Sequence, residues 1–160
     1  MTARPASVTR AVRVLLLLVV VTGVTTVLTW VQRDQLVIAW AEGNRTASGA
    51  LARGGLAEVE STLPVPGFVA IAVTSFVVLS ALVWVLGVFF YQGFDWARWS
   101  LAVTVLSLVF GALLCIVAGV PLLFEVLAVV IALICLVLLF FLLHRDTHGY
   151  VRGARSVRGE

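Results

Sequence analysis

Glu125 alone places a formal charge inside any of the long apolar runs of this 160-residue chain. An acid in hydrocarbon costs roughly 2 to 3 kcal/mol even on lenient insertion scales. Its presence points either to a proton, cation or amine site, or to a hydrogen-bonded structural role near the interface. It follows Pro121 by about one helical turn, ~5 to 8 Å inside the span, close enough to reach water or nearby hydroxyls. In the tail, His144 and His148 have the i, i+4 spacing with which two histidines share a metal on a helix, and Asp146 lies between them. A further ligand, a positioned base and a pocket are missing from view, so the stretch reads as solvated chain beside the membrane. Cys115 and Cys135 stand alone, with no CxxC and no third cysteine, and read as small apolar packing residues. No nucleophile, base or metal set assembles, so the sequence is read as non-enzymatic and without a cofactor.

The elements that position these residues are apolar helices. Four runs, Val14 to Val31, Phe68 to Tyr91, Leu101 to Val120 and Leu122 to Leu143, each supply the ~18 to 20 residues that a helix needs to cross a hydrocarbon core of ~30 Å. A chain 62% hydrophobic, with mean hydropathy +1.14, has too few polar residues to cover a soluble surface. The expectation is a single domain over 1–160: an all-α, antiparallel four-helix transmembrane bundle, an outer loop over about 32–66 with helical content, and a tail over 144–160.

All 11 basic side chains are arginine. Arg4, Arg10 and Arg13 precede the first span, Arg98 lies between the second and third, and Arg145, Arg152, Arg155 and Arg158 follow the fourth. Arg33, Arg45 and Arg53 fall in the first loop beside Asp34, Glu42, Glu58 and Glu60. The excess of arginine on one side predicts cytoplasmic N- and C-termini in a plasma membrane. Orientation explains the positions of these cations, so no nucleic-acid partner is expected; the basic tail suits an anionic lipid surface, at ~1 kcal/mol per arginine. Ala39, Trp40 and Ala41 form an A-x-A site, but it lies well past the apolar core, which favours an uncleaved anchor over a signal peptide.

In the outer loop, Trp30, Leu36, Val37 and Trp40 extend the first helix, and Gly43 and Asn44 end it. From Ser48 to Leu63 the pattern suits an amphipathic helix lying on the outer face, stopped by Pro64 and Pro66.

Between spans two and three runs Tyr91-Gln-Gly-Phe-Asp-Trp-Ala-Arg-Trp-Ser100. Gly93 suits a left-handed helix end, Asp95 a cap for the next helix, and Arg98 contact with lipid phosphate or Asp95. Trp96 and Trp99, three apart, share a face at headgroup depth. The run Gly93, Asp95, Trp96, Ala97, Arg98 resembles a G-x-[ND]-W-A-R stretch of uncharacterised small four-span membrane proteins of high-GC Gram-positive (actinobacterial) type. That resemblance implies a four-span layout with a basic tail in an actinobacterial plasma membrane, and it transfers no catalytic or binding residue.

In the third span Ser107, Gly111, Cys115 and Gly119 recur every fourth residue and make a small-residue ridge that lets another helix approach closely. The partner expected first is the fourth span, with Ala128 and Ala132 at the same spacing; a homo-oligomer seam is the alternative. In function, the sequence points to an accessory or self-associating membrane subunit with a membrane-protein partner, and next to a small proton-coupled transporter or channel component using Glu125.

Overall fold

The computed structural model describes residues 6–143. The tail with His144, Asp146, His148 and its arginines lies outside the described residues. Six helices and no strand occur among those described: α1 Ala6–Val31, α2 Arg33–Gly43, α3 Arg45–Thr62, α4 Phe68–Tyr91, α5 Asp95–Val117 and α6 Leu122–Leu143. Four of them, α1, α4, α5 and α6, are long and apolar enough to cross a membrane. The chain is a multi-pass, all-helical bundle.

Helices are the form such segments must take, because hydrocarbon offers nothing to a free backbone amide or carbonyl. The polar side chains of α1 obey the same constraint. Thr22, Thr25, Thr26 and Thr29 each donate a hydroxyl hydrogen bond to the carbonyl four residues earlier, all at 2.9 Å. The third span begins earlier and ends sooner than its apolar run, since Asp95 to Ser100 already form the first turns of α5 and Gly119 breaks the helix past Val117.

The four spans close a ring in which α1 packs on α4 and α6, and α5 on α4 and α6. Its core joins Ala11, Leu15 and Leu18 of α1, Leu86 and Phe90 of α4, Leu101 and Val105 of α5, and Cys135, Leu138 and Leu142 of α6. Hydrophobic burial gives little drive between helices in lipid, so these contacts hold by dispersion and fit. One end of the bundle carries Arg10, Arg13 and the α4–α5 hairpin and is called the basic end; the other carries α2 and α3 and is called the cap end.

At the cap end α1 passes almost unbroken into α2 through Gln32, whose amide donates to the Leu28 carbonyl while its own carbonyl accepts from Leu36. The chain then reverses at Asn44. Its side-chain oxygen accepts from the amides of Thr46 and Ala47 and starts α3, so this residue caps the new helix besides ending the old one. The Ser48 to Leu63 segment differs from the single surface helix expected of it. Gly55 interrupts α3 with φ 68° and ψ −155°, a conformation open essentially to glycine alone. A β-carbon at Gly54 would stand 2.6 Å from Glu58 Cβ, so this glycine is also required by the bend. The apolar face of α3 is turned onto α2, where Val37, Ala41, Ala47, Ala50 and Val59 form a second core separate from that of the bundle. Arg33 pairs with Glu60 at 2.7 Å and ties the start of α2 to the end of α3.

Candidate functional site

At the basic end, α4 stops at a glycine. Gly93 has φ 86°; its amide donates to the Phe90 carbonyl and the Phe94 amide to the Phe89 carbonyl, which closes the last turn of α4. Phe94, in extended conformation, then occupies the N-cap of α5 and gives no side-chain cap. The cap expected of Asp95 is therefore corrected. Asp95 is the first helical residue, and its carboxylate turns one turn along the helix to meet the Arg98 guanidinium at 3.2 Å. There its charge also opposes the positive end of the helix dipole.

Arg98 is the largest fully buried side chain described, 2% exposed. Lipid phosphate is thus not its surrounding. It shares a helix face with Leu101, Ala102 and Val105, which the bundle buries, and its guanidinium lies 5.4 Å from the centre of the Trp99 ring. Asp95 and the indole both help to compensate this buried charge. Trp96 and Trp99 are themselves exposed, the first resting on Phe89 with ring centres 5.2 Å apart. Chemically this cluster is a clamp: it fixes the α4–α5 hairpin and leaves two indoles exposed at the basic end.

Glu125 lies in the first turn of α6 at the cap end and is half-buried. Its carboxylate takes part in no hydrogen bond or ion pair among the described residues. Among the described residues no three His, Cys, Asp or Glu side chains gather as a metal set.

The small-residue ridge does not meet α6. Ser107 and Cys115 are exposed, and a β-carbon on Gly111 would touch nothing within 4 Å. Gly119 is not part of the helix at all: with φ 68° it forms the left-handed turn that lets Pro121 begin α6. Packing within the chain uses another face of α5, with Ala97, Leu101, Val105 and Ala112 buried toward the bundle and Ala128 and Cys135 buried on α6. The reason is phase: at ~100° per residue Ser107 lies about 160° around α5 from the buried Val105, so the two four-residue rows face opposite ways. Ser107 Oγ donates to the Val103 carbonyl at 3.0 Å, which satisfies its hydroxyl in lipid.

Two features escaped the residue pattern. One is the separate core of the cap, signalled only by the small residues Ala41, Ala47 and Ala50 around the Asn44 reversal. The other is a groove between α1 and α4, for which Ser80 and Gly87, seven apart on α4, were the available sign. The chain matches no protein-family model, no curated protein and no solved structure.

Proposed function

We propose that this chain is a non-enzymatic, multi-pass subunit of an actinobacterial-type plasma membrane. Both termini lie in the cytoplasm, and it acts through contacts in the bilayer with another copy of itself or with a partner membrane protein. The observation that carries this is the outward face of α5: Ser107, Gly111 and Cys115 present a strip with almost no side-chain bulk, unused by the chain's own packing. Where apolar burial gives no drive, backbone approach over such a strip is the available source of helix affinity. The arginine excess at the basic end supports the orientation.

Cys115 tests the proposal without any added probe group. Oxidation or a short bis-maleimide in native membranes is expected to link Cys115 into a dimer or to a partner. The product vanishes in Cys115→Ala and persists in Cys135→Ala, because Cys135 is fully buried in the bundle. Absence of any Cys115 adduct would overturn it.

A second reading is favoured by the Glu125 carboxylate, half-buried without a partner among the described residues. A proton-coupled transporter or channel component would use it as the titrating site. Glu125→Gln should then abolish a pH-dependent flux in proteoliposomes while expression and assembly persist; unchanged flux sinks this reading.

A further inference from the structure

Between α1 and α4, in the half of the bundle toward the basic end, lies a groove of about 550 Å³. Its origin is visible in the side chains. Further toward the cap the two helices meet closely, since a β-carbon on Gly23 would lie 3.3 Å from the Phe76 ring. Nearer the basic end α4 turns Ser80 and Gly87 to α1, and a β-carbon on Gly87 would meet nothing within 4 Å. The absent side-chain volume is the trough. Away from the mouth its walls are aliphatic apart from Ser80 and Trp84, the latter 70% exposed along the opening.

From Ser80 to Gln92 the groove follows α4 for about 18 Å by the helix rise. That is a little over half of a ~30 Å hydrocarbon core, the depth of one leaflet. A partner helix would run the full span, so a lipid chain entering from one side is the better match. At its mouth the lining becomes polar with Tyr91 and Gln92. Arg13 directly follows the lining residue Val12, and Arg10 precedes it by less than a turn. Both arginines are exposed, and neither enters an ion pair among the described residues. The chemistry is amphipathic in the sense of a phospholipid: an apolar trough one leaflet deep under a positively charged rim.

We propose that the α1–α4 groove holds one anionic glycerophospholipid, its acyl chain along Ser80 to Gly87 and its phosphate at Arg10 and Arg13. The site is independent of any association through α5, so either can fail alone. Two rim arginines give the anionic lipid roughly a thirty-fold preference over a zwitterionic one.

The test uses the full chain in nanodiscs with phosphatidylglycerol carrying an acyl-chain diazirine, and phosphatidylcholine carrying the same group. Expected is labelling of α1 and α4 peptides around Leu16 and Trp84 by the anionic probe, roughly thirty-fold above the zwitterionic one. Arg10→Gln with Arg13→Gln, on exposed positions, should erase that preference. Gly87→Phe should fill the trough and remove the label in a variant whose thermal unfolding shows it folded; if it does not fold, the arginine pair decides. Equal labelling by both probes would mean annular contact only and overturn the proposal. So would labelling that ignores both substitutions, or cross-links from the groove to another polypeptide.

Discussion

Arg98 carries a full charge inside the bundle at 2% exposure, and Asp95, 47% exposed, is its ion-pair partner. Removing the acid leaves a cation that cannot neutralise itself, whereas removing both charges leaves none to compensate. Asp95→Ala is therefore expected to cost about 1–3 kcal/mol, and the double change of Asp95→Ala with Arg98→Met less than the single one. Thermal unfolding in detergent checks this; equal loss in the single and double variants would contradict it. The sequence offered Arg98 either lipid phosphate or Asp95, and the ion pair takes the second. The spacing of Arg98, Leu101 and Val105 held the better answer, since i, i+3 and i+7 share one helix face. Glu125 was legible as the one charge in a span, while its lack of a partner among the described residues required coordinates.

Helix ends and bends are where elements departed from expectation. Hydropathy located all four spans because a bilayer demands length and little else. It did not tell which face of each points inward: in a uniformly apolar helix no polar stripe marks the outside, so the ridge on α5 was visible while its direction was not. Nor did the pattern of α3 reveal its break, because Gly54 and Gly55 are tolerated in a helix as well as out of one. At Gly55 a β-carbon would have open space, so the cost of adding one is backbone strain alone. Gly55→Ala is expected to destabilise the α2–α3 cap by about 1–3 kcal/mol. Hydrogen exchange should speed up in α2 and α3 and stay unchanged in α5 and α6, which do not share the cap's core. Uniform protection across the whole chain, equal to that of the parent, would show the bend to be unstrained.

As a whole the molecule is a ring of four spans with a small folded cap at one end and, at the other, a buried arginine paired to an exposed aspartate. The cap has a core of its own, which Phe68 at the start of α4 also touches, and each span turns one face into the bundle core. Outward on α5, between larger exposed side chains such as Leu106, Phe110 and Leu114, runs a strip of small ones that packing within the chain does not use. Association through that strip is the central proposal, and the particle mass tests it most directly. The chain, 17.2 kDa alone, is to be purified from its native membrane in mild detergent and weighed by light scattering, beside a Gly111→Leu variant. Expected is a particle heavier than one chain, as a homo-oligomer or with a stoichiometric partner, that falls to the single-chain mass in Gly111→Leu while the variant stays folded. A parent protein that already has the single-chain mass and no partner, or a heavier particle indifferent to Gly111→Leu, would contradict association through α5.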